Sequence, residues 1–380
     1  MKKKSFSPLR NDGIQSIFSS LACILGGLLA GYLVLLIIEP SGALDAILSI
    51  IKSITNYPPV LQAKYFGQIL VRTAPLLLCA LSVLFAYKVG MFNIGVAGQY
   101  VAGACLGLYG ALAWDLPWYI CLVLAMAAGA ALGAISGLLN TLCNVNIVIS
   151  GIMLNWIALY MTNLILTDVK SLNSPYTKGL RGNNQAALLP DVGLKEFFGN
   201  EKSVTIAIPL AIVVAILVWI ILNKTKFGYE LKATGNNLHA AKYCGMREKR
   251  NIILTMMISG ALAGMGASLL YLTGIEEWET TVSSVPAMGF NGIAVAFLGG
   301  LSPIGSILSA LFIQWITIGG SFVNLEVYSP QTSSLISSLI IYLCAFVAFF
   351  KFFMQTKLRK HDEKKAAKLA AAEAEGGEEK

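Results

Sequence analysis

The sequence predicts an all-α polytopic membrane protein of about ten transmembrane helices, and three observations predict it. Hydrophobic residues make up 56% of the 380 positions and charged residues only 13%, where a soluble domain carries roughly 25% charge. Long apolar stretches recur along most of the chain, and a bilayer crossing consumes about 20 such residues. Finally, the basic residues alternate in density between successive connections, which is the signature of orientation in a membrane.

The first apolar stretch, at 14–38, follows a basic start, MKKKSFSPLR. It is too long for a signal peptide and lacks a small-residue cleavage site, so it is expected to stay as a span. Further spans are expected at 68–87, 90–110, 117–140, 147–166, 204–222, 252–274, 286–301, 303–322 and 332–350. The pair at 286–301 and 303–322 is short and nearly continuous, which suits either two spans or a broken, re-entrant pair. With both termini in the cytoplasm, 20 of the 28 Lys and Arg residues fall inside. The formal charge of +8 is therefore read as orientation beside membrane lipid, with no nucleic-acid partner implied.

The domains follow: a cytoplasmic arm at 1–13, a membrane domain at 14–353 and a charged cytoplasmic tail at 354–380. Two external segments are long, 39–67 and 167–203, and one cytoplasmic loop, 223–250. In the first external segment Leu44, Ile47, Leu48, Ile51 and Ile54 recur at helical spacing, predicting an amphipathic helix along the outer interface or a packing lid. A weak two-fold repeat is suggested by Phe92-Asn93 and Phe290-Asn291, each near glycines; interrupted, glycine-rich helices at corresponding places often surround a transport path.

Small residues four apart, at Gly103/Gly107, Gly129/Gly133/Gly137 and Gly260/Gly264, mark close helix contacts. No Asp or Glu lies in the middle of an expected span, which disfavours a proton-coupled carrier but leaves a sodium-coupled one open. The chain has no GxxxxGK[ST] phosphate loop. Its seven cysteines form no CxxC pair and its two histidines, His239 and His361, lie in hydrophilic segments, so neither a metal centre nor a catalytic triad can be assembled and no cofactor is expected. An intramembrane enzyme is the least favoured class.

The polar residues left inside the spans are amides. Asn93, Gln99, Asn155 and Asn291 suit a path for a neutral, hydroxyl-rich solute, because each donates and accepts, and equally suit hydrogen bonds between helices. Asn140 and Gln314 suit the helix-bonding role. In the cytoplasmic loop Gly235 punctuates the sequence, Asn236 or Asn237 can cap a short helix, and Gly245 can end it; the small Ala240-Ala241 surface would fit a groove in another protein.

Four strings, GMFNIGVAGQYVAGA, FGYELKATGNNLHAAKYCGM, SGALAGMGA and GFNGIAVAFLGGLSPIG, occur in that order between 68 and 350. Together they resemble the permease subunits of bacterial ABC importers for nucleosides and simple sugars, and the string at 92–99 is most similar to the nucleoside branch. The resemblance implies a homologous second permease, a cytoplasmic ATP-binding subunit and an extracytoplasmic solute-binding protein or lipoprotein. It implies a solute path bordered by Phe92, Asn93, Gln99, Asn155, Phe290 and Asn291. It also implies a coupling helix to the ATPase over Gly235, Asn237, His239, Ala240, Ala241, Tyr243 and Gly245. Family members often have an acidic residue where Ala97 stands and a proline where Leu238 stands.

Overall fold

A computed structural model describes residues 12–55 and 57–322, with scattered positions between 335 and 357. The expected span at 332–350 lies for the most part outside the described residues, as do the N-terminal arm and most of the tail. In chain order the helices are α1 (Asp12–Ile38), α2 (Ala43–Ile51), α3 (Pro59–Tyr87), α4 (Val96–Leu112), α5 (Trp118–Cys143), α6 (Ile147–Leu166) and the short α7 (Leu180–Asn183) and α8 (Leu194–Phe197). They continue with α9 (Ala207–Lys224), α10 (Lys226–Asn236), α11 (Leu238–Tyr243), α12 (Glu248–Tyr271), α13 (Ala287–Leu298) and α14 (Pro303–Gly319). Among the described residues there is no strand, only two isolated bridges, Lys170 with Thr177 and Tyr176 with Glu279.

Among the described residues, seven helical stretches are long and apolar enough to cross a membrane: Phe18–Ile38, Pro59–Tyr87, Trp118–Cys143, Ile147–Val169, Ala207–Lys224, Glu248–Tyr271 and Pro303–Phe322. The other two expected spans within the described residues are shorter helices, α4 and α13. At 1.5 Å per residue, the 12 residues of α13 reach only about 18 Å, well short of a hydrocarbon core of about 30 Å. After α13 the chain turns sharply, with Gly300 and Leu301 both at positive φ, and α14 folds back so that the Ser309 hydroxyl donates to the Val295 carbonyl at 2.8 Å. The two are therefore a short helix and a helix long enough to cross, packed together across a tight turn.

Burial sorts the helices into layers. The most apolar window of α3 is 89% buried and that of α12 72%, against 22–28% for α1, α5 and α9. The first two form the centre, and the others turn an apolar face outward, as Leu21, Leu25, Leu29 and Leu33 do along α1. α12 is flanked by α5, α3 and α4, and here the glycine stripe does what its spacing predicts. A methyl group added at Gly129 or Gly133 would collide with the carbonyl oxygens of Gly260 and Met256, and one at Gly264 with that of Ala125. Backbones this close gain dispersion and Cα–H···O contacts that larger residues would forbid.

Helix α3 begins at Pro59 rather than at 68, because polar side chains interrupt the apolar run without interrupting the helix. Pro58 and Pro59 suit its first turn, Gln68 donates to Glu201 at 3.1 Å, and Lys64 lies 3.8 Å from the same carboxylate. In α2 the inward face is Ala43, Ala46, Ile47 and Ile50, while Leu44, Leu48 and Ile51 point outward. The Trp315 indole donates to the Ile51 carbonyl at 3.2 Å, so the helix is a lid on α14 that also presents an apolar outer face. The 167–203 segment is pinned by Thr177 N donating to the Trp278 carbonyl (2.9 Å) and Asn184 Nδ2 donating to the Ala111 carbonyl (2.9 Å).

Gly264→Val should abolish assembly, since overpacking against a backbone has no rotamer escape and costs about 1–3 kcal/mol or more. Gly26→Ala, at a position with open space around it, should leave yield and thermal stability unchanged. Size-exclusion profiles and melting curves of the two proteins check the contrast.

Candidate functional site

The α3–α4 junction carries the Phe92–Gln99 string. α3 ends at Tyr87, residues 91–93 are non-helical and α4 starts only at Val96, so the expected span at 90–110 opens as an irregular segment. Irregular backbone at membrane depth requires partners for its N–H and C=O groups. Asn155, about two turns inside α6, supplies them from across the fold: its Oδ1 accepts from Gly98 N at 2.7 Å and its Nδ2 donates to the Ile94 carbonyl at 3.1 Å. It acts as an N-cap delivered by another helix. Gly98 permits the approach, because a Cβ there would stand 2.7 Å from Asn155 Cα.

A second knot holds the same segment from the α12 side. Asn93 Nδ2 donates to Gln99 Oε1 (2.8 Å) and to the Ser259 hydroxyl (2.8 Å), and the Ser259 hydroxyl lies 2.8 Å from the Ser82 carbonyl and 2.9 Å from the Ser82 hydroxyl. Asn93, Gln99 and Asn155 are all buried. The structure thus groups three of the six residues expected along a path into an internal hydrogen-bonded frame. The other three lie at its margin: Phe92 is half-buried, its ring 6.4 Å from that of Phe297, while Phe290 is exposed and Asn291 half-buried on α13. α13 rests directly on the frame, since Gly289 closes on Ala97 and Gly292 on Cys79. Asn140 donates to the Val145 carbonyl at 3.0 Å, closing the end of α5.

The 223–250 loop forms two helices rather than one. Asn237 separates them and caps α11, its Oδ1 accepting from Ala240 N at 3.0 Å, and Gly245 follows at φ +78°. Gly235 does not punctuate; it lies within α10. Its role is close approach, for a Cβ there would collide with the backbone of Val89, and one on Gly90 would stand 2.9 Å from the Gly235 carbonyl. Asn251 Nδ2 adds a bond from α12 to Thr234 Oγ1 at 2.9 Å. The Ala240-Ala241 surface is only half available: Ala240 is exposed, whereas Ala241 is buried. What α11 offers outward is Leu238, His239, Ala240 and Tyr243, the last 93% exposed. Sequence reasoning missed the contact between Gly235 and Val89, because nothing in either local string reveals a partner about 150 positions away.

Asn93→Leu should destabilise the chain by about 1–2 kcal/mol, as Gln99 and Ser259 lose a buried partner, with a lower melting temperature as the readout. Asn155→Leu should do at least the same, because it removes the acceptor for the buried start of α4.

Residues 65–345 match the family model described as "Branched-chain amino acid transport system / permease component". The chain is 35% identical over 288 residues to the guanosine ABC transporter permease protein NupP of Bacillus subtilis (strain 168), covering 75% of this chain and 81% of the relative. It is 32% identical over 329 residues to the nucleoside ABC transporter permease protein NupB of Lactococcus lactis subsp. cremoris (strain MG1363), covering 83% and 86%. It is also 30% identical over 296 residues to NupQ, a second guanosine ABC transporter permease protein of the same Bacillus strain, covering 74% and 90%. No solved structure matches the chain. With its seven candidate spans, this is a multi-pass plasma-membrane protein and a transport subunit rather than an enzyme: the chain belongs to the permease-component family of the branched-chain amino acid transport systems.

Proposed function

We propose that this permease forms one half of a nucleoside import path, with a homologous second permease as the other half. An extracytoplasmic binding protein delivers the solute, and a separate ATP-binding subunit drives transport from the cytoplasm. The similarity to NupP and NupB supports the solute class, and NupP and NupQ from one strain, both similar to this chain, support pairing of two related permeases. The orientation that puts both termini inside and a tenth span at 332–350 belongs to the same reading, as does the two-fold repeat around Phe92-Asn93 and Phe290-Asn291.

The observation that carries the mechanism is the backbone contact of Gly235 with Val89 and Gly90. It ties the cytoplasmic α10–α11 unit to the residues just ahead of the Phe92–Gln99 string. A displacement of α11 is therefore delivered, without a compliant side chain between, to the α3–α4 junction on which α13 rests. Phe92, Phe290 and Asn291 border the path at this margin, while Asn93, Gln99 and Asn155 shape it from behind. An ATPase that grips α11 differently in its two nucleotide states shifts the permease between inward and outward forms. Moving the balance from 1:99 to 99:1 needs about 5.5 kcal/mol of such differential interaction.

Uptake of a labelled nucleoside panel should be lost from cells lacking this chain and return when it is restored; unchanged uptake would overturn the solute assignment. Tyr243→Asp, at an exposed position, should lower uptake at least tenfold while ATP hydrolysis by the assembled complex continues, which separates coupling from folding. Asn291→Leu should reduce uptake with assembly intact, as judged by co-purification of the second permease.

A further inference from the structure

A cleft of about 460 Å³ opens between the first turn of α10 and the start of α12; Gly245 and Asn251 of the coupling unit form part of its edge, while its basic side chains take no part in the Gly235–Val89 contact. Lys226, Arg247 and Arg250 line it, with Glu230 as its one acidic residue. The Lys226 ammonium lies 4.0 Å from that carboxylate. Arg247 and Arg250 make no ion pair among the described residues. Phe227 and Leu254 form apolar wall.

The level of this cleft follows from the helices that frame it. α9, a candidate span, ends at Lys224, and Lys224 stands 5.7 Å from the ring centre of Trp219, a pairing typical of the membrane–water boundary. Thr225 turns the chain at once, donating to the Ile221 carbonyl at 2.6 Å and accepting from Gly228 N at 3.0 Å, so Lys226 and Phe227 stay beside the end of α9. Across the cleft, Arg250 and Leu254 belong to the first two turns of the candidate span that starts at Glu248. From Arg247 to Leu254 the helix rises about 10 Å, from the headgroup layer toward hydrocarbon. The cations therefore cluster where two candidate spans meet their polar ends, with Phe227 beside them and Leu254 further along α12.

We propose that this cleft binds the headgroup of an anionic phospholipid, whose phosphate is held by Arg247, Arg250 and Lys226 while its glycerol and upper acyl chain run along Phe227 and Leu254. Guanidinium pairs grip phosphate oxygens in a fork geometry, and basic pockets beside span ends on the cytoplasmic face suit anionic lipid. The net excess of positive charge in the cleft matches a phosphodiester monoanion better than a zwitterionic headgroup. Such a lipid would wedge between α10 and α12 and so brace the coupling unit against the bilayer, whichever solute is carried.

The test uses the full chain in nanodiscs of phosphatidylcholine with phosphatidylglycerol, the retained lipid being counted by native mass spectrometry after release. The wild-type chain should retain phosphatidylglycerol over phosphatidylcholine. Lys226→Gln, a substitution at a side chain 91% exposed, should cut that enrichment about fivefold, and R247Q/R250Q roughly 25-fold, at about fivefold per cation near the surface. Should the double variant fail to fold, Lys226→Gln decides the matter alone. Equal retention of the two lipids, or enrichment unaltered in Lys226→Gln, overturns the proposal. Displacement of the lipid by inorganic phosphate at millimolar concentration also overturns it, marking a free-anion site. So does loss of ATP-binding-subunit capture with lipid enrichment intact, which would make the cleft a protein contact.

Discussion

A helix that starts inside a membrane protein has to find acceptors for its first amides without water, and much of this fold is organised around that requirement. α4 begins at Val96, within the buried α3–α4 segment, and its own N-cap residue is a glycine with no side chain to offer. Asn155 on α6 accepts from Gly98 instead, and the segment ahead of it is fixed by Asn93, Gln99 and Ser259. An unsatisfied group at this depth would cost several kcal/mol. The amides are therefore the condition for having an interrupted helix at all. An interrupted helix is in turn what gives a path irregular backbone and a movable margin.

The same economy of side chains governs how the helices meet. Where α5 crosses α12 the contact is backbone against backbone, and it is so again where α13 meets α4 and α3 and where α10 meets the end of α3. Contacts of this kind transmit displacement with little slack, since there are no rotamers to absorb it. They also make the assembly intolerant of added volume. The glycine-rich composition of the chain thus reflects mechanical stiffness as much as lipid-phase association.

How much of this was legible in the sequence depended on the range of the interaction. Spans whose apolar run coincides with the helix, such as 147–166, agree with the structure at both ends. The start of α3 was hidden because Gln62, Lys64 and Gln68 lower hydropathy while their helix continues through them. The glycine stripe announced close packing, but its partners became visible only in three dimensions. For the amides the sequence left two roles open, and burial assigns Asn93, Gln99 and Asn155 an internal bonding role while leaving Asn291 on the margin. A cap at Asn236 or Asn237 was readable because capping is local, and the structure assigns it to Asn237; the burial of Ala241 was not readable, since it depends on where the rest of the chain lies.

Helix α11 presents an unusual surface for so short an element. Tyr243 and Leu238 stand exposed on a six-residue helix, and so short a helix has little stability of its own. It is held by the Asn237 cap, by the buried Ala241 and by α10, which is itself fixed to α12 through Asn251 and Thr234. An apolar knob on a rigid mount is suited to being pushed, because the force on Tyr243 cannot be dissipated by unwinding α11 without exposing Ala241 and breaking the cap. The direction of transmission follows from where the mount is anchored. Its backbone contacts are with Val89 and Gly90, immediately ahead of the segment that carries Phe92 and Asn93, and, through Gly228, with Ile221 at the end of α9, so a push on α11 would bear on the interrupted helix and on α9 together.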